Sequence, residues 1–320
     1  MRAIQVASHG GPEVLGTTDL PLPEPGSGDV RIRLEAAGVN FIDIYQRSGL
    51  YPLEPPFTPG MEGAGVVDAV GGDVTEVAAG ARVAYAMTVG SYAEYAIVPA
   101  AAVVELPDTV STRLGAAVFL QGLTAHYLAV STVPLQPGST ALVHAAAGGV
   151  GRLLVQVAKR RGATVLATVS NAEKAAMVRA LGADQVLDYA GFAAAARRAT
   201  GGAGVDVVYD SVGRATFDGS LEALRRRGHL VSYGQSSGPV TAFQPARLSQ
   251  AGSVYLTRPT LADYIADRDE LLVRSRELFS WMAAGELDVL IHREYRLADA
   301  AAAHRALASR ATTGKLLLIP

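Results

Sequence analysis

The stretch Thr140-Ala141-Leu142-Val143-His144-Ala145-Ala146-Ala147-Gly148-Gly149-Val150-Gly151 decides how this chain folds. Its first half is an apolar run that reads as a strand over 140–145. Directly after it, Val150, Leu153, Leu154, Val157 and Ala158 recur at helical spacing, so a helix is expected over 148–162. A glycine-rich turn between a strand and a helix lets the backbone come close to a pyrophosphate. The N–H groups of the first helical turn and the helix dipole then stabilise its negative charge. Gly148 is expected to make the turn and Gly151 to allow close packing of helix on sheet. The form is A-x-x-G-x-x-G rather than G-x-G-x-x-G, so the flanking elements carry the reading more than the glycines do. A tight turn that binds nothing is the plain alternative.

The alternation continues downstream. Strands are expected over 164–169, 185–189, 205–209, 229–233 and 253–256. The helices between them are expected over 171–181, with Asn171 as N-cap, 192–198 and 216–227. This spacing calls for a parallel sheet covered on both faces, one doubly wound domain over 121–258. Upstream the texture differs. Short strands fit 30–34, 65–70, 82–86, 91–98 and 103–106, divided by turn residues, and suggest a small barrel over 1–120. A long helix over 263–284, a second over 298–309 and a strand over 315–319 make a tail too short to be a domain. The tail, 259–320, is expected to return to the first domain. The fold class is α/β.

Which dinucleotide the turn takes is read at the end of the second strand. An NAD site usually places Asp or Glu about 20 residues after the glycines, to accept from the ribose hydroxyls. Here that place reads Thr168-Val169-Ser170-Asn171-Ala172-Glu173-Lys174. A carboxylate would repel a 2′-phosphate, whereas Ser170 and Lys174 can bind one. Glu173 keeps the acidic alternative open. On a helix it points about 100° from Lys174, so the two cannot face one phosphate. NADPH is the expected cofactor.

Composition narrows the classes. With 320 residues the chain exceeds the roughly 250–300 at which a single core stops growing, so two domains are expected. At 49% hydrophobic residues it has ample material for packed cores. The formal charge is −2, and 25 arginines against 3 lysines form no dense basic run beyond Arg225-Arg226-Arg227, which argues against nucleic acid as the main partner. There is no cysteine, which removes disulfides, thiolate zinc sites, iron–sulfur ligation and cysteine nucleophiles together. No two of the six histidines have metal-site spacing. No run of about 18 apolar residues and no signal core is read, so neither a membrane span nor export is expected and a cytoplasmic protein is the plain reading.

Longer motifs lie outside the glycine turn. They are Gly38-Val39-Asn40-Phe41-Ile42-Asp43, Arg47-Ser48-Gly49-Leu50-Tyr51-Pro52, Tyr209-Asp210-Ser211-Val212-Gly213, Ser232-Tyr233-Gly234-Gln235-Ser236-Ser237-Gly238, Thr257-Arg258-Pro259 and Ser309-Arg310-Ala311-Thr312. With 144–151 they make the chain resemble, almost end to end, the zinc-free, zeta-crystallin-like quinone oxidoreductases of the medium-chain dehydrogenase/reductase superfamily. The resemblance implies a GroES-like β-barrel catalytic domain, a doubly wound Rossmann domain that binds NADPH, and a cleft between them. Zinc-dependent relatives carry a ligand cysteine where this sequence has Asn40, and a ligand histidine where Met61 stands in Gly60-Met61-Glu62. An amide and a thioether are poor zinc ligands, and no metal is expected.

Carried over by position, the resemblance makes Asn40, Tyr45 and Tyr51 the catalytic residues that line the nicotinamide and substrate. At the adenine-side phosphate, Tyr189 and Arg310 join Lys174 and Ser170. The turn itself contributes Ala147, Gly148, Gly149 and Val150. Gly234, Gln235, Ser236 and Ser237, with Leu256 and Thr257, lie along the nicotinamide half. Phe41, Thr124 and Ser211 complete the cofactor set. The bland alternatives are amphipathic packing for the tyrosines and solvated surface charge for Lys174 and Arg310.

A quinone accepts a hydride readily. The protein must hold the reduced nicotinamide against a conjugated acceptor, exclude water and stabilise the developing oxyanion with donors such as Tyr45, Tyr51 or Asn40. NADPH-dependent quinone reduction is therefore the expected activity. Reduction of an activated carbon–carbon double bond, in an enone or enoyl thioester, uses the same cofactor geometry and is the nearest alternative. Some family members bind AU-rich RNA or serve as lens structural proteins, and a role of that kind is the alternative from another class. The resemblance also implies a homodimer joined through strands of two Rossmann domains, with 243–256 as the candidate contact.

Overall fold

From residue 140 onward strand and helix alternate as the periodicity predicts, and the strands pair into one parallel sheet. The computed structural model describes residues 1–320. It orders the sheet Gln185–Asp188, Thr164–Val169, Thr140–Val143, Val205–Asp210, Leu224–Ser232, Tyr255–Thr257. The chain moves outward from Thr140–Val143 on one side and then returns to its other side with Val205–Asp210. That reversal is the switch point at which open α/β sheets bind ligands. Both faces are covered, so the buried positions of the strands are largely aliphatic. Leu142, Leu166, Val208 and Leu230 share one core with Phe192, Phe217 and Leu221 from the helices.

One expected helix is shorter than its spacing suggests. The helix read over 216–227 ends at Ala223, and Leu224 is already extended, with φ −70° and ψ 146°. The three arginines therefore lie on the strand Leu224–Ser232. The cause is local. Arg197 donates to the carbonyls of Glu222 (2.7 Å) and Leu224 (2.8 Å), closing the helix end with a guanidinium. Arg225 pairs with Asp206 and draws the chain against the neighbouring strand.

The chain divides into a first unit, 1–123 with 265–320, and a second, 124–264. The first crossing falls inside the helix Thr112–Tyr127. With the π-helical turn Leu128–Thr132 this helix runs 21 residues. No run of about 18 apolar residues is expected from the sequence, yet an 18-residue window here reaches a mean hydropathy of 1.3. Of that window 78% is buried, as in a core helix.

In the first unit the strand Asp29–Val39 is central. One edge pairs with Glu62–Val70. The other is shared between Tyr95–Pro99, along 29–33, and Lys315–Ile319, along 37–39. Arg82–Ala86 and Val103–Glu105 extend the sheet beyond Glu62–Val70, and Ile291–Arg296 pairs with Lys315–Ile319. Val30, Ile32, Val67, Val83, Val98 and Val103 turn into one interior, which gives these strands their barrel-like curl. The strand expected over 91–98 starts only at Tyr95, because the Tyr92 carbonyl accepts from Ile4 N–H at 2.8 Å and is tied to the first strand instead. The long helix expected over 263–284 begins at Arg268, where Asp267 caps it by accepting from Glu270 N–H at 3.0 Å. Replacing that cap, Asp267→Ala, is expected to cost about 1 kcal/mol, read as a lowered midpoint in urea with an unchanged slope.

Candidate functional site

In the second unit the residues singled out from the sequence gather at one end of the sheet. Ala147, Gly148, Gly149 and Val150 follow Thr140–Val143, and Ser170 and Lys174 follow Thr164–Val169. Tyr189 follows Gln185–Asp188, Ser211 follows Val205–Asp210, and Gly234 to Ser237 follow Leu224–Ser232. In a parallel sheet these are all carboxyl ends. Leu256 and Thr257 are the last residues of the edge strand, and Thr124 is buried on the helix Thr112–Tyr127.

The glycine turn is built differently from the expectation. Gly148 is extended (φ −76°, ψ 175°) and caps the helix Gly149–Arg160; the left-handed residue is Ala145, with φ +49°. Ala145 is held there from both sides. Its N–H donates to the Tyr189 hydroxyl at 3.0 Å, and its carbonyl accepts from Gly148 N–H at 2.9 Å. Gly151 does what its spacing implies, since a Cβ there would lie 2.4 Å from the Ala145 carbonyl oxygen. A glycine cap supplies no side-chain acceptor, so the first-turn N–H groups face outward to an anion.

The second strand ends in Val169-Ser170-Asn171, with no carboxylate before the helix Ala172–Ala180. Asn171 caps the next helix by accepting from Lys174 N–H at 2.9 Å. Ser170 and Glu173 are exposed, whereas Lys174 is only 8% exposed and burial lowers its pKa. Lys174 is thus no solvated helix-face lysine. The segment Gly234 to Ser237 has committed its backbone. The N–H groups of Gly234, Ser236 and Ser237 go to the carbonyls of Asp210, Ser211 and Val212, so these three are not offered to a ligand.

Sequence reasoning missed what ties these strand ends together. Asp210 accepts from Val212 N–H (2.8 Å), Gly213 N–H (2.9 Å), Thr216 Oγ1 and Ser220 Oγ (2.9 Å). Because Ser220 donates to Asp210, His144 Nε2–H donates to Ser220 at 3.0 Å, and its Nδ1 accepts from Thr168 Oγ1 at 2.8 Å. Burial keeps this imidazole neutral, its pKa lowered to about 4.

In the first unit the helix Phe41–Arg47 carries the predicted aromatic residues. Tyr45 stands 6.1 Å from Phe41 and 5.2 Å from Tyr51, ring centre to ring centre, and Tyr51 N–H donates to the Tyr45 carbonyl at 3.0 Å. Both tyrosines are half-buried. Arg310 is exposed and left-handed, φ +58°, just past the helix Ala300–Ala308.

Asn40 departs from its expected role as an oxyanion donor. Its side-chain amide donates to Glu62 Oε2 (2.9 Å) and the Gly38 carbonyl (3.2 Å), and its Oδ1 accepts from Lys315 Nζ at 2.8 Å. Both amide hydrogens are committed inside the protein, so Asn40 supports the site. Lys315 and Glu62 form an ion pair, both essentially inaccessible, and Leu120 N–H donates to Glu62 at 2.7 Å. No group of three or more His, Cys, Asp or Glu side chains is placed to hold a metal ion.

A second buried network grips the same helix. Tyr92 Oη donates to Asp43 Oδ2 at 2.9 Å, and His304 lies 3.0 Å from Tyr92 and 3.2 Å from Arg47 Nη1. Burial raises the Asp43 carboxyl to about 7 and lowers the His304 imidazole to about 3. Only the motif positions of Asp43 and Arg47 hinted at it.

Residues 26–108 match the family model of the alcohol dehydrogenase GroES-like domain, and 181–318 match that of the zinc-binding dehydrogenases. A quinone oxidoreductase of Pseudomonas aeruginosa is 46% identical over 100% of this chain and 99% of its own length. The crystal structure of Escherichia coli quinone oxidoreductase complexed with NADPH superposes with a TM-score of 0.98 at 44% identity, covering 100% of both chains. A 2-haloacrylate reductase of Burkholderia is 40% identical over 99% of this chain and 98% of its own.

The buried histidines set an acid limit. Their native pKa values lie below the unfolded value of about 6.5, so as pH falls through 6.5 the unfolded chain takes up protons that the fold refuses and stability drops. Asp43 works the other way, since its native pKa lies above the unfolded value of about 3.9 and stability rises as pH falls from 7 toward 4. Thermal unfolding followed by circular dichroism is expected to show a net fall in Tm from pH 6.5 to 4.5, and a steeper one in Asp43→Asn.

Proposed function

We propose, from the premise that the chain belongs to the zeta-crystallin-like quinone oxidoreductases of the medium-chain dehydrogenase/reductase superfamily, that its quinone is reduced beside Tyr45 and Tyr51. The activity is reduction of a quinone by NADPH. Bound NADPH supplies a hydride from its nicotinamide. The chain binds and orients it: the first-turn N–H groups after Gly148 face the pyrophosphate, and Lys174 with Ser170 takes the 2′-phosphate. Tyr189 acts through the turn it braces, and Gln235 and Ser236 present side chains toward the nicotinamide half. As the acceptor takes the hydride, one carbonyl oxygen becomes an oxyanion. The hydroxyls of Tyr45 and Tyr51 donate to it, and a proton from solvent completes the hydroquinone.

The observation that carries this reading is Lys174, held almost out of solvent at a strand end that has no carboxylate. Lys174→Ala is expected to raise the KM for NADPH about tenfold or more and that for NADH less than twofold, because only the former has the 2′-phosphate. Steady-state kinetics with 1,4-benzoquinone decide it, and equal changes with both nucleotides refute the assignment.

The same reading includes a homodimer and a cytoplasmic location. Tyr255–Thr257 is an edge strand paired only with Leu224–Ser232, and Tyr255, stacked on His229 at 4.7 Å, is 57% exposed. An unpaired edge with an exposed aromatic side chain suits pairing with its own copy across a two-fold axis. Light scattering is expected to give twice the chain mass, reduced to the monomer in Tyr255→Asp.

A further inference from the structure

We propose that Asp43 is a positioning residue for Tyr45: the buried hydrogen-bond chain Arg47–His304–Tyr92–Asp43 clamps one face of the helix Phe41–Arg47 and thereby fixes the tyrosine carried on the other. Its bearing on quinone turnover rests on the reading that the quinone sits beside Tyr45.

A helix of seven residues cannot hold its own orientation and takes it from whatever grips it. Asp43 and Arg47 are four residues apart, on one face, and both are buried. Phe41 and Tyr45 are also four apart, and Tyr45 points about 160° from Asp43 around the helix axis. The grip and the presented tyrosine therefore lie on opposite sides.

The direction of every bond in the clamp is determined. A guanidinium only donates, so Arg47 Nη1–H donates to His304 Nδ1 at 3.2 Å. That fixes the tautomer, and His304 Nε2–H donates to Tyr92 Oη at 3.0 Å. Tyr92 O–H in turn donates to Asp43 Oδ2 at 2.9 Å, and Asn40 N–H donates to the same oxygen at 2.8 Å. All donors converge on Oδ2, while Asp43 Oδ1 is buried with no partner. A proton on Oδ1 breaks none of these bonds, so the clamp exists in two strengths. The carboxylate binds Tyr92 and Asn40 with charge-assisted bonds, and the neutral acid holds them more weakly.

The groups facing Asp43 are few. Tyr92 and His304 come from the segment before Tyr95–Pro99 and from the helix Ala300–Ala308. Arg47 and Asn40 belong to its own helix, and Glu62 and Lys315 come from the two strands flanking Asp29–Val39. Burial raises the carboxyl pKa, the bonds from Asn40 and Tyr92 and the Lys315 charge lower it, and Glu62 raises it, leaving it at about 7. The clamp is thus weaker below neutral pH and tighter above it.

The test places 3-fluorotyrosine at position 45 of the full chain and follows its fluorine resonance from pH 5.5 to 8, with kinetics on 1,4-benzoquinone and NADPH in parallel. In the wild-type chain the resonance is expected to shift near pH 7, beyond the phenol's own ionisation that all variants share. Asp43→Asn and Tyr92→Phe, each first checked by thermal unfolding, are expected to lose that shift. They are also expected to raise the benzoquinone KM at least threefold while the NADPH KM stays within twofold. A shift that persists in Asp43→Asn overturns the proposal. A shift that persists in Tyr92→Phe overturns it too, because it would then report the field of the carboxylate and not the clamp. Tyr45→Phe separates the two readings. If it leaves benzoquinone kinetics unchanged while the fluorine follows Asp43, the quinone is not beside Tyr45 and the positioning role stands. If it alters those kinetics while the fluorine ignores Asp43, the quinone placement stands and the positioning role falls.

Discussion

The ion pair between Lys315 and Glu62 is the contact on which the first unit depends. Lys315 opens a strand on one side of Asp29–Val39, and Glu62 opens the strand on the other. A fully buried pair survives only when each charge finds further partners, because desolvation costs several kcal/mol per ion. Asn40 supplies them to both, and Leu120 N–H adds one for Glu62. Room for the arrangement comes from Gly38. A Cβ there would lie 2.3 Å from Glu62 Oε2 and 2.6 Å from the Ala116 carbonyl oxygen.

Asn40 is consequently the joint between two buried polar systems. Its side chain serves Glu62 and Lys315, and its backbone N–H serves Asp43. Polar networks of this kind contribute modestly when complete and cost about 1–3 kcal/mol per orphaned partner when broken, which makes them rigid. The second unit uses the same device, with Asp210, Ser220, His144 and Thr168 lacing three adjacent strand ends. In each unit the residues assigned to chemistry sit beside such a lattice and are not members of it. Tyr45 is carried on a helix that the Asp43 network grips, and Lys174 follows a strand whose end the His144 network ties.

Much of this was legible beforehand, and the gaps have physical causes. The parallel sheet announced itself because aliphatic strands and amphipathic helices alternate at distinct periods from Thr140 to Thr257. The helix Thr112–Tyr127 did not, since a helix buried on most sides has no polar face to give it a period. The arginines at 225–227 read as helical because the guanidinium that stops the helix comes from Arg197, a long-range contact with no local signal. Spacing places Gly148 and Gly151 at the turn, but the left-handed residue is an alanine, held by the Tyr189 hydroxyl and the Gly148 N–H. That the Asn40 side chain is committed inside the protein has no local signal, because its partners lie 22 and 275 residues away.

Glu62 and Lys315 are separated by 253 residues, with the whole second unit encoded between them. At a synthesis rate of about 5–20 residues per second, a ribosome needs roughly 13–50 s to deliver the lysine after the glutamate has emerged. Through that interval one edge of Asp29–Val39 lacks its C-terminal neighbour and a carboxylate destined for the interior has no counter-charge. The first unit is complete only once this last strand has been made, whereas every residue of the second unit has been synthesised before it.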